Sequence, residues 1–441
     1  MFSNRDLREL ILPLFVEQLL LMLVGIADTF IVSFASEADV SGVSLVNSFN
    51  TVLVFLFTAL SSGGAVIISQ YIGSKNTEKA EEASGQLLMI SVIISMIFSA
   101  AILIFRHHLL TLFFGRVEAD VMRAGETYLV ITTCSLPALA VYDAGASLCR
   151  SMGQAQATMY ISTAANLINI IGNCAGVFAL HLGAAGVAYP SLISRVLSAA
   201  AVTAYCFSRN RTVRYRLSAV FVWNSGLLRK IMFIALPNGL ENGVHQFVKV
   251  ALSSMVSLFG TYQIAANGVA QSIWSLASIM GLAMAPAYTT VIGQCMGASD
   301  IESANDYFKK LNRITLILSI IWNTLIFAVT PFLIRYSAIS GAAKSLVIQL
   351  VLINNIFNGI AYPFAGPMGN GLLAAGDVKF TMLVSISLTI FARLFFSVVF
   401  ALWMNWQVIG VAVGMSIDLV FRGAVFLRRL KSQKWTTFQI I

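Results

Sequence analysis

About twelve stretches of roughly twenty mostly apolar residues follow one another along the chain. A helix needs about 20 such residues to cross the hydrocarbon core of a bilayer. Long segments that alternate apolar and polar residues, as in a membrane β-barrel, are not found in the sequence. The pattern therefore predicts an all-α integral membrane protein with about twelve transmembrane helices. The predicted apolar cores are residues 8–33, 44–70, 84–105, 125–149, 157–180, 185–207, 231–259, 264–292, 311–333, 346–373, 379–403 and 407–427.

The composition also indicates that lipid surrounds most of the chain. Hydrophobic residues make up 58% of it and charged residues only 11%. A soluble globular protein carries about 25% charged residues. The chain is therefore long enough for one integral bundle of helices and too apolar for a set of soluble domains.

The basic residues are distributed unevenly about the predicted spans. If both termini are cytoplasmic, 19 of the 28 Lys and Arg residues lie on the cytoplasmic side and 5 on the opposite side. This excess is the positive-inside pattern. We therefore expect a multi-pass protein with both termini in the cytoplasm. The formal charge of +9 is then explained by orientation and by contact with anionic lipids, and no nucleic-acid partner is expected.

The sequence contains no motif for ATP or metal chemistry. It has no GxxxxGK[ST] loop and no HExxH pair, so ATP does not drive this chain and no cofactor is expected. The five cysteines lie in or beside apolar segments without metal-ligand spacing, as is typical of buried, reduced thiols. A membrane-embedded enzyme is the remote alternative, and it would need clustered acid and His groups near one interface.

The two halves of the chain resemble each other. Several residues recur 224 positions later: Leu12-Pro13 at Leu236-Pro237, Glu17 at Glu241, Ser48 at Ser272, Gln70 and Gly73 at Gln294 and Gly297, and Gly186-Val187-Ala188 at Gly410-Val411-Ala412. Matches in one register across a whole half indicate an internal duplication. The prediction is an N-terminal six-helix lobe (1–207), a basic cytoplasmic linker (208–230, with Arg209), a C-terminal six-helix lobe (231–427) and a cytoplasmic tail (428–441).

The number of spans in each half determines how the halves are related. Six is an even number, so both halves enter the membrane from the same side. A pseudo-twofold axis along the membrane normal then relates the two bundles. Parallel repeats of this kind are typical of transporters, with the substrate site between them.

These motifs together resemble the multidrug and toxic compound extrusion (MATE) family, in its bacterial form. The carrying motifs are Leu12-Pro13 with Ala27-Asp28-Thr29, Gln70-x-x-Gly73 repeated at Gln294-x-x-Gly297, Leu236-Pro237 with Glu241, and the two Gly-Val-Ala patterns. The resemblance covers nearly the whole chain. It implies two lobes around a central cleft that opens to one side at a time.

The resemblance also implies a function. Expected is a secondary active transporter that exports cationic or amphipathic drug-like compounds by alternating access, coupled to inward Na+ or H+ flow. It implies a monomer in the bacterial cytoplasmic (inner) membrane, with small organic molecules and lipids as its partners.

Acidic side chains within the spans are the candidate ion sites. A charged residue at the bilayer centre costs about 2.5–3.5 kcal/mol on insertion scales, and such residues often mark a transport path. Asp28 lies deep in the first span, and in the family the matching acid helps to bind the coupling cation. Asn169, Asn173 and Ser191 match its usual neighbours, and the two amides are spaced i,i+4 on one face of a helix.

The choice of coupling ion stays open at the sequence level. Carboxylate, amide and hydroxyl oxygens suit a hard cation, so Na+ would bind at Asp28, Asn169 and Asn173. Many members of the family carry an acid at the position of Asn173, and the amide here lowers the negative charge. Asp28 could alternatively serve only to bond helices together.

Pro13 interrupts the backbone hydrogen bonding of the first span. The family resemblance implies a hinge that bends as the cation site fills. A fixed kink and a proline at the helix start are the alternatives.

A second set of residues lies in the seventh span. Glu241, His245 and Lys249 share one helix face at i, i+4 and i+8. The matching family glutamate serves a substrate or second cation site, to which Glu17, its repeat mate, is also assigned. An ion pair of Glu241 with Lys249 is the alternative.

The remaining intramembrane charges distinguish the two halves. Arg393 falls at the repeat position of Asn169, where a guanidinium would repel a cation. Asp418 and Arg422 are spaced i,i+4 and are predicted to pair. Asp143 and Arg195 stay unassigned, and either could line the cleft. Arg195, Arg393 and Lys249 also keep open a rival function, that of a lipid-linked saccharide flippase of the same superfamily with a cationic cleft.

Overall fold

The computed structural model describes residues 2–115, 117–208, 211–335, 339–438 and 440–441. All regular secondary structure in these ranges is helical. Arg116 and Arg209, both included in the count of basic residues, lie outside the described residues. The predicted all-α class is confirmed.

In the described part of the chain, nine α-helices begin before residue 226. In order they are α1 (Asn4–Val32), α2 (Glu37–Gly73), α3 (Thr77–Phe114), α4 (Ala119–Cys134), α5 (Leu136–Ser151), α6 (Ala155–Cys174), α7 (Ala184–Phe207), α8 (Leu217–Phe221) and α9 (Ser225–Val256). A π-helical turn, Ala175–Ala179, continues α6.

Nine more α-helices complete the chain. They are α10 (Thr261–Ala277), α11 (Ile279–Gly297), α12 (Ile301–Arg335), α13 (Gly341–Ile360), α14 (Tyr362–Ala365), α15 (Pro367–Ala374), α16 (Val378–Ser387), α17 (Phe395–Val398) and α18 (Gln407–Lys431). Two π-helical segments, Leu388–Leu394 and Val399–Trp403, join α16 and α17 into one span. Short 3₁₀ turns follow α9 and α18 at Ser257–Phe259 and Lys434–Thr437.

The helices account for the predicted spans. Ten helical runs of the described chain are long and apolar enough to cross a membrane, and α4 with α5, bent by 43°, forms an eleventh. The twelfth predicted span is α9, which has 32 residues but contains Pro237, Glu241 and His245. These residues lower its apolar character. About twelve spans are thus confirmed.

The chain divides into two compact units, residues 2–236 and 237–441. In the first unit, buried apolar residues of α1, α2, α4, α5 and α7, such as Val46, Phe57 and Val187, form the core. In the second, α9, α10, α12, α13 and α18 contribute residues such as Val347 and Val411. The boundary falls at Pro237 inside α9. The finer boundaries at 207, 231 and 427 stay predictions.

Two glycines bring α6 and α7 into backbone contact. A Cβ on Gly186 would lie 2.8 Å from the carbonyl carbon and oxygen of Gly176, and a Cβ on Gly172 would lie 2.6 Å from the Cβ of Pro190. Small residues allow this approach between helices in lipid, where close packing replaces the hydrophobic effect. The repeat mate Gly410 is packed in the same way against the backbone at Ala401.

We expect Gly186→Ala to lower the stability of the protein in detergent. The added methyl would overlap the backbone of Gly176, and overpacking of this kind costs about 1–3 kcal/mol. Gly25→Ala in α1 is the matched control because its Cβ would meet nothing within 4 Å. Thermal unfolding of the two variants checks the difference, and equal melting temperatures would show that α6 and α7 are not closely packed.

Candidate cation site

Three helices of the first unit place their polar side chains at one point. Asp28 lies one turn before the end of α1, Asn169 and Asn173 lie one turn apart on α6, and Ser191 lies on α7. The glycine contact between α6 and α7 brings Ser191 within reach of Asn169. The four residues that the sequence singled out for the cation site are therefore neighbours in the structure.

A continuous chain of hydrogen bonds links the four side chains. The Asn173 Nδ2 donates to Asp28 Oδ1 at 2.6 Å and to Asn169 Oδ1 at 3.1 Å. The Asn169 Nδ2 donates to Ser191 Oγ at 3.0 Å, and Ser191 Oγ donates to the Val187 carbonyl at 2.9 Å. Because Asn173 faces two acceptors, its amide nitrogen must point toward them.

That orientation leaves one buried oxygen without a donor. Asn173 is fully buried, and its Oδ1 has no hydrogen-bond partner within the described residues. A buried polar atom without a partner costs about 1–3 kcal/mol. A hard cation or a protonated group would satisfy it, because carboxylate and amide oxygens are ligands of this class. The carboxylate oxygens of Asp28 and the amide oxygen of Asn173 therefore fit as ligands of a small cation.

Arg195 is a cationic residue that interacts with Asp28 electrostatically. It acts on Asp28 and Asp143 through the electrostatic field, while its Nη1 donates to Ser135 Oγ at 2.7 Å. Among the described residues, Asp28 forms no salt bridge within 4.0 Å of a cationic group. The carboxylate is thus held by a neutral amide, and its predicted role in cation binding stays a prediction.

Glu17 has a different environment in the same unit. It is almost fully buried, and it accepts hydrogen bonds from Arg150 Nη2 at 2.7 Å, Thr158 Oγ1 at 3.1 Å and Tyr142 OH at 3.2 Å. Asp143 lies close enough to interact with Arg150 and Glu17. The predicted role of Glu17 in a substrate or second cation site stays a prediction, and the ion pair gives it a role in joining α1, α5 and α6.

A ring of five side chains, which we define as Glu241, Arg422, Asp418, Arg393 and His245, lies in the second unit and is closed by one turn of α9. Glu241 Oε1 lies 3.9 Å from Arg422 Nη1, and Arg422 Nη2 lies 2.9 Å from Asp418. Asp418 in turn accepts from Arg393 Nη2 at 2.8 Å, and Arg393 Nη1 lies 3.1 Å from a ring nitrogen of His245. Since Glu241 and His245 are one turn apart on α9, the ring links α9, α18 and the π-helical segment Leu388–Leu394.

The contacts within the ring show which charged residues of the second unit pair with each other. The predicted pairing of Asp418 with Arg422 is present, but Arg393 shares the same carboxylate, which the local spacing did not reveal. The cation that lies near Glu241 is Arg422 and not Lys249, which is exposed and has no salt bridge among the described residues. The predicted functions of Glu241, His245 and Lys249 stay predictions.

Pro13 lies in the interior of α1. The helix begins at Asn4, where Ser3 and Asp6 form a reciprocal cap with Asp6 N to Ser3 Oγ at 3.1 Å and Ser3 N to Asp6 Oδ2 at 2.7 Å. The alternative of a proline at the helix start is therefore wrong. Because proline has no N–H, the carbonyl of Glu9 loses its helical donor. The hinge stays a prediction.

Most of the chain is similar to known proteins. The family model described as MatE matches residues 13–175 and 237–423. The chain is 25% identical to "Uncharacterized transporter YisQ" of Bacillus subtilis (strain 168), over 96% of this chain and 93% of the relative. It is 22% identical to "Probable multidrug resistance protein NorM" of Thermotoga maritima, over 98% and 93%. A solved structure described as "Crystal structure of MATE in the straight conformation" has a TM-score of 0.90 at 20% identity, covering 97% of this chain and 96% of the other.

We expect Asp418→Asn to destabilise the protein strongly and Asp28→Asn to do so little. Asp418 is fully buried between two guanidinium groups, and removal of one partner from a buried ion pair costs about 3–5 kcal/mol. Asp28 loses only its interaction with one amide. Thermal unfolding of both variants in the same detergent tests this, and equal losses of melting temperature would mean that Asp28 has the same structural role as Asp418.

Proposed function

Because the chain belongs to the MatE family, that of the MATE multidrug efflux transporters, we propose that it exports organic cations or amphipathic compounds by exchange for Na+ or H+. Proteins of this family are secondary transporters and not enzymes. They handle small organic substrates and work as ion-coupled antiporters without a cofactor. The chain is accordingly a multi-pass membrane protein.

The environment of Asp28 is the observation that carries the proposal. Its carboxylate is bound at 2.6 Å by the Asn173 amide and forms no salt bridge within the described residues. Two other acids of the spans are held by arginines: Glu17 is paired with Arg150 and Asp418 with two arginines. A mobile cation can therefore neutralise the charge of Asp28 at a lower cost than that of Glu17 or Asp418, since neither arginine contact has to be broken.

The exchange follows from this single negative charge. When Na+ or H+ neutralises Asp28, the first unit no longer attracts an organic cation. When the ion leaves, the charge returns and favours the cationic guest. The Glu9 carbonyl, which Pro13 deprives of its helical donor, allows α1 to bend without breaking a further backbone bond. Binding at Asp28 is then transmitted along α1.

The rival function of a lipid-linked saccharide flippase is less well supported. A pyrophosphate guest needs cationic groups that are free to bind it. Arg393 is almost fully buried and held by Asp418 at 2.8 Å, and Arg195 donates to Ser135 at 2.7 Å. Of the three cations that kept this rival open, only Lys249 is exposed.

The placement in the cell is part of the same proposal. The excess of 19 Lys and Arg residues over 5 supports cytoplasmic termini, and the bacterial relatives support the bacterial cytoplasmic membrane. A monomer is sufficient for the proposed exchange because the four polar residues of the ion site lie in one chain.

Transport in inverted membrane vesicles tests the proposal. We expect wild-type protein to move ethidium when a Na+ or an H+ gradient is imposed, and Asp28→Asn to abolish the response to that gradient, because an amide cannot carry the exchanged charge. The gradient that drives wild-type transport identifies the coupling ion.

Asp120→Asn is the matched control for this experiment. Asp120 is exposed in the first turn of α4, so the same chemical change there should leave transport intact. Coupled efflux that persists in correctly folded Asp28→Asn would remove Asp28 from the mechanism.

A further inference from the structure

An apolar groove runs between α3, α5 and α7 of the first unit. It has a volume of about 530 Å³, and its lining includes Val92, Pro137, Val141, Ala199, Thr203 and Phe207. Ala200 and Ala204, on the edge of the groove, are exposed on the surface of the unit. The groove contains no charged side chain, and none of the ion-site residues lines it.

The groove ends where α7 ends. Ala199 and Phe207 are eight residues apart, which corresponds to about 12 Å of helix at 1.5 Å per residue. Beyond α7 the chain turns back, because Tyr215 N donates to the Cys206 carbonyl at 2.9 Å. The ring of Tyr215 lies 5.5 Å from that of Phe207. Tyr215 therefore lies beside Phe207, the last α7 residue that lines the groove.

The segment between α7 and α8 is basic. The Arg211 guanidinium lies 3.7 Å from the centre of the Tyr205 ring, and Arg214 lies 3.8 Å from Glu81, to which Arg216 is also paired. Arg216 has a second, exposed acidic neighbour in Glu78 at 4.0 Å. Arg214 and Arg216 thus share Glu81 and Glu78, and with Arg211 the segment has one more arginine than these two glutamates neutralise.

A buried glutamine holds the following residues against α3. The Gln86 side chain donates to the carbonyls of Ala219 at 2.8 Å and Val222 at 2.6 Å, and it accepts from Asn224 N at 2.9 Å. The neighbouring Trp223 is exposed. Tryptophan is enriched at the boundary between hydrocarbon and water, so this fixed segment has the character of a membrane-interface anchor.

We propose that the groove and the basic segment together bind one anionic phospholipid. One acyl chain lies along the groove, and the phosphate lies at Arg211 and Arg214. The length of the groove matches the upper part of an acyl chain, and basic pockets between transmembrane helices bind lipid headgroups. A cationic guest is disfavoured here because the groove offers no acid and its end is positive. The proposal is independent of ion exchange at Asp28.

Lipid retention by the purified protein tests the acyl-chain part. Native mass spectrometry would follow the binding of added dioleoyl phosphatidylglycerol to the full-length protein in detergent. Ala204→Phe fills the groove, whereas Ala201→Phe places the same ring on an exposed part of α7 outside it. We expect Ala204→Phe to lose most of the bound lipid and Ala201→Phe to keep it.

A second pair of variants tests the headgroup part. Each arginine near anionic lipid contributes about 1 kcal/mol, so Arg211→Gln with Arg214→Gln should weaken phosphatidylglycerol binding about thirtyfold. Dioleoyl phosphatidylcholine, with the same chains, should already bind weakly. The control is Arg5→Gln with Arg8→Gln, which removes the same charge from two exposed positions of α1.

Three outcomes would overturn the proposal. Equal retention by Ala204→Phe and Ala201→Phe would show that the groove holds no acyl chain. Equal binding of the two lipids would show that the arginines do not recognise the phosphate. If Ala204→Phe lost the binding of ethidium and kept the binding of lipid, the groove would be a site for the transported compound.

Discussion

The amide of Asn173 ties the Asp28 carboxylate of α1 to α6, and the proposed function depends on this contact. The hydrogen bond of 2.6 Å stabilises an ionisable group inside the membrane without neutralising its charge. A salt bridge would have done both. Because the donor is neutral, the charge remains available to an ion, and the unmatched Asn173 Oδ1 beside it offers a further ligand.

The two halves share a helical pattern but differ in the charges around their buried acids. In the first, the Gly186 contact brings polar but neutral side chains of α6 and α7 around one acid. In the second, Gly410 is packed in the corresponding way, but Arg393 stands near the repeat position of Asn169 and binds Asp418. A buried carboxylate held by two arginines is compensated within the protein. An exchangeable site is therefore supported in one half only.

The local pattern of the sequence was sufficient for the helices, whereas the family resemblance supplied the four residues of the candidate cation site. Apolar runs gave the spans, and the i,i+4 spacing of Asn169 and Asn173 placed both on one face of α6. It could not give contacts between distant positions. Glu17 and Arg150 are 133 residues apart, and Arg393 and His245 are 148 apart. Such pairs depend on how helices pack, which periodicity does not encode. The hydrogen bonds of Gln86 with Ala219, Val222 and Asn224 were not predicted from the sequence for the same reason.

The central claim is that ion and guest exclude each other at Asp28, and linkage makes this measurable without membranes. Purified wild-type protein in weak buffer would be mixed with ethidium while a pH indicator and radioactive sodium report any released ion. The account predicts release of H+ or Na+ in proportion to ethidium bound, and no release from Asp28→Asn. Binding of ethidium to the wild type with neither ion released would contradict it.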